Sequence, residues 1–279
     1  MTKRDCLLSG EQYYRFTTKT GYPVTVIPKP GHSKIYAMFG TNYGSMDTHC
    51  APIDGSPSFA IPDGTAHFLE HKLFEGEVED AFTRYSRTGA NANAFTCSDK
   101  TVYLFSCTER FEESFGILLD FVTHPYFTEE TVAKEQGIIG QEIKMYDDDP
   151  DWRVMMNVMQ AMFHNNPARI DTAGTVETIA QITPEMLYQC YNTFYNPANM
   201  GIVVCGDVNV RQVQMLCERY LSLRPASPVT RPLANEPDTV LRKRVVEKKA
   251  VSKPQFLIGY KDPKPSVGAV AVKKEAMSE

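Results

Sequence analysis

The sequence predicts an α+β protein. Two observations carry that expectation. Runs rich in β-branched and aromatic residues gather before residue 110 and return near residue 200, while runs with helical apolar spacing dominate the middle.

Residues 23–28 and 35–40 read as strands, separated by Pro30-Gly31 as in a hairpin-type connection. A loop rich in Pro, Gly, Ser and Asp follows, from Asp47 to Gly64. Thr65 reads as the N-cap of a helix, because residues 66–75 contain no Gly or Pro. A short helix over 78–88 ends at Gly89. Residues 90–96 and 101–107 read as two strands joined by the turn Ser98-Asp99-Lys100. Phe111, Phe115, Leu118, Leu119 and Val122 form one helical stripe, which Pro125 stops. Thr128 opens a helix to about residue 146. Its capping box is half satisfied, because Thr131 stands where Glu or Gln is usual. A helix over 151–164 follows the acidic turn Asp147-Asp148-Asp149-Pro150. Thr183-Pro184 is an N-cap with Pro at the first helical position, starting a helix to Phe194. Residues 200–205 read as a strand and 210–221 as a helix.

Pro225, Pro228, Pro232 and Pro237 mark a linker. Beyond it, residues 255–260 read as a strand, and too little chain follows for an independent core. The expected division is a domain over 1–224, a linker over 225–237 and the start of a second domain over 238–279.

Composition narrows the function. The net charge of −5 gives no basic face for nucleic acid, and Arg242-Lys243-Arg244, Lys248-Lys249 and Lys273-Lys274 are short clusters that read as solvated surface. No apolar run is long enough for a membrane span, and the N-terminal residues do not form a signal-peptide core. The 7 cysteines are widely spaced, without a C-x-x-C pair, and read mostly as small buried hydrophobes. The expected location is the cytoplasm, with no nucleic-acid or membrane partner.

Residues 65–74 carry the chemistry. His67 and His71 are four residues apart, so their imidazoles stand about 40° apart around a helix and face one side. That spacing suits a shared Zn²⁺. Glu70 precedes His71 on the same turn, where it can reach a metal-bound water without ligating the metal. The pattern is H-x-x-E-H, the inverse of H-E-x-x-H. A hydrolytic zinc needs a third protein ligand. The helix opened by Thr128 offers Glu135 and Glu142, two turns apart on a face with Ile138, Ile139 and Ile143. Taken alone, these residues are also compatible with polar helix positions and surface glutamates.

Three further runs extend the pattern. Gly89-Ala90-Asn91-Ala92-Asn93-Ala94-Phe95-Thr96 is followed by Thr101-Val102-Tyr103. Asp147 to Arg153 is one acidic run, and Gly174-Thr175-Val176-Glu177 is the last. With the H-x-x-E-H helix and Glu135/Glu142, they resemble the insulinase/pitrilysin family of zinc peptidases, which includes the mitochondrial processing peptidases. The resemblance points to its bacterial, cytoplasmic branch, similar to the members associated with modification of elongation factor P.

The resemblance implies an α+β fold with a mixed, mostly antiparallel sheet and helices packed on one face. It implies His67, His71 and Glu142 as ligands of one Zn²⁺ per chain, Glu70 as the base that polarises the bound water, and Glu135 as a carboxylate orienting a ligand. Asn93 and Ala94 would hold a peptide substrate as an added strand. The function implied is a zinc metalloendopeptidase, or its catalytic half, acting on small or unfolded peptides. The alternative is a non-catalytic or partner-dependent subunit of a two-chain peptidase. Family members of this class carry two homologous domains that enclose the substrate. Here the resemblance runs out after residues 245–260, read as the second domain's first strand. The chain is therefore expected to be truncated, its partner being a related chain or the missing domain.

Overall fold

The computed structural model describes residues 1–5, 10–231 and 234–262. Cys6, Pro232 and Lys273-Lys274 lie outside the described residues, as does the end of the domain expected over 238–279. The chain divides into two compact units: Met1–Ile143 with Asp171–Arg231, and Lys144–Ile170 with Pro232–Glu279.

In chain order the strands are β1 (Thr2–Asp5), β2 (Gln12–Thr17), β3 (Pro23–Pro28), β4 (Ile35–Thr41), β5 (His49–Cys50), β6 (Phe59–Ala60), β7 (Asn91–Thr96), β8 (Thr101–Cys107) and β9 (Met200–Gly206). β5 and β6 pair with each other, and the rest form a 7-stranded sheet in the order β1-β2-β3-β9-β4-β8-β7. Every pairing is antiparallel except β3 with β9. The mixed, mostly antiparallel sheet is the one expected.

Its order corrects the expected hairpin of β3 and β4. β9 lies between them, parallel to β3 and antiparallel to β4. β9 is apolar on both faces, and such a strand belongs inside a sheet, with a neighbour on each side. β1 and β2 were not expected as strands. Only Phe16 of β2 is fully buried, so its alternation is weak, and the charged β1 is exposed throughout. β1 and β7 are the two edges.

Alternation along the inner strands sends Val24, Val26, Ala37, Phe39, Tyr103, Phe105, Ile202 and Val204 to one buried face. Tyr36, Met38 and Val203, on the other face, are partly exposed. The helices are α1 (Thr65–Leu73), α2 (Ala81–Ser86), α3 (Phe111–Thr123), α4 (Glu129–Asp148), α5 (Pro150–Met162), α6 (Val176–Ile179), α7 (Pro184–Phe194) and α8 (Val210–Tyr220). α1 packs on β7 and β8, and α3 packs on β4 and β8. The stripe read from the sequence of α3 is buried at Phe115, Leu118, Leu119 and Val122.

Helix starts show where side chains cap and where they do not. Asp80 caps α2 by accepting from the Thr83 N–H, which moves its start from residue 78 to Ala81. At α4, Thr131 completes the capping box in place of Glu: the Thr131 N–H donates to Thr128 Oγ1 and the Thr128 N–H to Thr131 Oγ1, both at 3.2 Å. α1 departs from expectation. Its N-cap is Gly64, with φ 92° and no side-chain cap, while Thr65 is already helical and donates from Oγ1 to the Pro62 carbonyl at 2.6 Å. A Cβ at Gly64 would meet the Ala173 carbonyl oxygen at 2.5 Å, so the close approach excludes any capping side chain.

In the second unit, Glu236 accepts from the backbone N–H groups of His164, Asn165 and Asn166 just beyond α5. Residues 255–260, expected as a strand, form none. Phe256, Ile258 and Tyr260 are exposed, and no described residue offers this run a ladder partner. An apolar run becomes a strand only where another backbone pairs with it. The described cysteines are free; Cys50, Cys107, Cys190 and Cys217 are buried. No helix of the described residues is long and apolar enough to cross a membrane.

Gly64 and Gly137 make a paired test. Gly64→Ala is expected to destabilise the protein by about 2 kcal/mol or more, from left-handed strain plus the clash. Gly137 is an exposed glycine of α4, where an added Cβ meets nothing within 4 Å. Gly137→Ala is expected to stabilise by about 0.5–1 kcal/mol. Urea unfolding reads both, and a shift of the same sign in the two variants would contradict this account of the α1 start.

Candidate metal centre

α1 is anchored by Phe68, Leu69 and Leu73, all fully buried. With those side chains in the core, His67, Glu70 and His71 share the remaining side of the helix. His67 and Glu70 are buried and His71 is part-exposed. The two imidazoles meet edge to face, with ring centroids 4.5 Å apart.

α4 supplies the opposing carboxylates. Its buried stripe is Val132, Glu135, Ile139 and Ile143. Ile138, expected in that stripe, is 48% exposed. At about 100° per residue Ile138 falls roughly 60° to one side of Glu135, while Ile139 falls roughly 40° to the other. Glu142 lies at the margin, roughly 20° from Glu135 and part-buried. Gln136 helps fix the helix by donating from Nε2 to the Ile179 and Ile182 carbonyls at 3.2 and 3.3 Å.

The ligating atoms converge. Glu142 Oε1 is 3.8 Å from His67 Nε2, and Glu142 Oε2 is 3.6 Å from His71 Nε2. Two ligands of one tetrahedral zinc, each about 2.0–2.1 Å from it, stand roughly 3.3 Å apart. The two measured separations lie within about half an ångström of that, and one ligand atom from each of the three residues lies within 4.8 Å of the others. His67, His71 and Glu142 form the one group of this kind found among the described residues. Glu135 stands behind them: His71 Nδ1 donates to its Oε1 at 2.9 Å, which leaves the His71 Nε2 lone pair facing Glu142. Among the described residues, His67 Nδ1 is buried without a hydrogen-bond partner.

The electrostatics suit a cation. Burial, and then the neighbouring His71, lower the pKa of His67 to about 4, despite the opposing pull of Glu142 and Glu135. It is thus neutral, the form that ligates. Burial also works against a charged His71, but the Glu135 hydrogen bond and the surrounding carboxylates outweigh it and raise its pKa. Burial pushes the Glu70 carboxyl up, partly offset by the hydrogen bond from Thr96 and by His71. Three glutamates crowd two imidazoles in a part-buried space. Such an arrangement is costly without positive charge, and a divalent ion at the Nε2 and Oε atoms would supply it.

Glu70 Oε2 accepts from Thr96 Oγ1 at 2.5 Å. Thr96 is not among the residues singled out by spacing or motif role. Its signal is the position of the end of β7 beside α1, a three-dimensional fact. Asn93 and Ala94 lie on the same edge strand, in register with Leu104 and Tyr103 of β8. The Ala94 N–H donates to Asn93 Oδ1 at 2.9 Å, and the Asn93 side chain is exposed.

The family described as Insulinase (Peptidase family M16) matches residues 61–176, and Peptidase M16 inactive domain matches residues 181–268. The chain is similar to YmfH of Bacillus subtilis (strain 168), named an uncharacterized zinc protease. The two are 45% identical over 258 residues, covering 91% of this chain and 60% of that protein. Among solved structures it resembles an M16-like peptidase from Alicyclobacillus acidocaldarius, with TM-score 0.79 and 40% identity over 86% of this chain and 56% of that one. A protease from Helicobacter pylori, 20% identical with TM-score 0.73 over 82% of this chain and 55% of that one, shares the fold. The chain thus spans little more than half the length of these relatives.

The histidine environments set a pH dependence for metal binding. In the metal-free protein His71 takes up its proton above its ordinary 6.5, whereas His67 stays neutral down to about 4. As pH falls from about 7 to 5, one proton competes with the metal. Zinc affinity should drop about tenfold per pH unit. Chelator-competition titrations would measure it, and a drop near a hundredfold per unit would show both histidines titrating together.

Proposed function

We propose, from the premise that this chain is built of insulinase-family (peptidase M16) domains, that it is the catalytic half of a zinc metalloendopeptidase acting on small or unfolded peptides. The observation that carries the proposal is the convergence of His67 Nε2, His71 Nε2 and the Glu142 carboxylate beside a buried Glu70. His67, His71 and Glu142 would hold one Zn²⁺ per chain. When bound, zinc supplies Lewis acidity, which makes water a stronger acid and stabilises developing negative charge on a carbonyl oxygen.

The chain's own groups do the rest. Glu70 accepts a proton from the attacking water and returns it to the departing amine. Its raised pKa brings it closer to the range in which one carboxyl can serve as base and then acid. Glu135 holds the His71 ring so that Nε2 is turned toward Glu142, where it would be free to ligate. Asn93 and Ala94 on the open edge of β7 would receive the substrate backbone as an added strand, giving affinity with little side-chain preference. On this reading residues 1–224 are the catalytic domain, 225–237 the linker and 238–279 the start of a second domain. The unpaired cysteines suit a cytoplasmic setting.

A partner-dependent or non-catalytic subunit of a two-chain peptidase is the second reading. It is favoured by the match of residues 181–268 to a domain described as inactive.

Metal analysis of the purified chain is expected to find about one zinc per chain, lost in the His67→Ala/His71→Ala double variant. Zinc retained in that variant would remove the site. Glu70→Gln is expected to keep its zinc while cleavage of an unfolded peptide falls about a hundred- to ten-thousand-fold. If zinc-loaded wild type cleaves nothing even with a related chain added, the second reading replaces the first.

A further inference from the structure

We propose that Thr96 is the positioning residue of Glu70, fixing one carboxylate oxygen of the base so that the other is left for proton transfer. The inference rests on the peptidase reading above and assigns a further residue to it.

The geometry is a relay of hydroxyls. Thr96 and Thr101 face each other as the last pair of the β7–β8 hairpin, with their Oγ1 atoms 3.2 Å apart. Thr101 is fully buried and donates its proton to the Tyr43 carbonyl at 2.8 Å. A hydroxyl has one proton. With that of Thr101 committed, Thr101 Oγ1 is left with its lone pairs toward Thr96. The Thr96 proton is drawn to the stronger acceptor, the Glu70 carboxylate, at 2.5 Å. Among the described residues no other hydrogen bond reaches that carboxylate. Glu70 is a long side chain with several rotamers, and this single contact distinguishes between them. Thr96 also stands two residues beyond Ala94 on β7. One strand therefore both lies at the proposed substrate edge and orients the base, so the base is indexed to the substrate backbone rather than to its own helix alone.

Thr96→Val removes the hydroxyl and keeps the branched shape suited to a strand. With the full chain loaded with zinc, its kcat on an unfolded peptide is expected to fall about ten- to a hundredfold, the usual effect of losing a hydrogen bond to a charged group. KM and zinc content should stay within about threefold of wild type. Thr96→Ser, which restores the donor, should recover most of kcat. A loss confined to KM, or an equal loss in the Ser and Val variants, would overturn the proposal.

Crystal structures of the metal-free wild type and the two variants give a readout independent of activity. Glu70 should occupy one position in wild type and Thr96→Ser, and a shifted or divided one in Thr96→Val. An unmoved Glu70 in Thr96→Val would overturn the proposal whether or not the chain cleaves peptides. An inactive wild type with Glu70 displaced in Thr96→Val would remove the peptidase reading and leave the positioning role standing.

Discussion

The hydrogen bond from His71 Nδ1 to Glu135 joins α1 to α4, and the geometry of the centre depends on it. The backbones of Glu135 and Glu142 are about 10 Å apart along their helix. Their side chains nevertheless converge on the two nitrogens of one imidazole. Once Glu135 is set against one side of the ring, the two-turn spacing delivers Glu142 to the other. Glu142 then spans the short gap to His67. The two helices thus need only one correct contact, and the helical repeat generates the second.

That contact demands a rigid start to α1. The left-handed Gly64, seated against the Ala173 carbonyl, fixes where the helix begins. Phe68, Leu69 and Leu73 fix its rotation. On the other side, Val132, Ile139 and Ile143 seat α4 so firmly that Glu135 is carried into the interior with them. A carboxylate in that position is expensive unless paired, and His71 is its partner. The apolar packing and the polar contact are therefore parts of one arrangement.

Local spacing made much of this legible in the sequence. The i, i+4 histidines and the paired glutamates are helical facts, and they hold once the helices form. What the residues alone left open was which glutamate meets both imidazoles. That depends on where α4 lies along its axis against α1, because the two glutamates are roughly 20° apart around the helix and about 10 Å apart along it; the exposed Ile138 shows separately how far a simple apolar-stripe reading misjudges the rotation of α4. Most strands were legible as segments, but not their neighbours. Pro30-Gly31 suggests a hairpin, yet β9, from the far end of the domain, enters between β3 and β4. Residues 255–260 have strand composition without a pairing backbone. The cap of α1 differs from the Thr65 that local sequence suggests because the decisive atom, the Ala173 carbonyl oxygen, belongs to a distant segment. Thr96 was silent for the same reason.

The two edges of the sheet differ in a way that bears on self-association. β1 ends the sheet with Lys3, Arg4 and Asp5, charges that discourage another strand from docking. β7 ends it with Asn91-Ala92-Asn93-Ala94-Phe95-Thr96, which carries no charge. An unguarded edge invites aggregation, yet here the Ala94 N–H is already engaged by the Asn93 side chain. Any incoming strand has to compete with that internal contact, worth about 1 kcal/mol. The two ends of one sheet are thus guarded by different means: β1 by full charges, β7 by one short polar contact made within the strand itself.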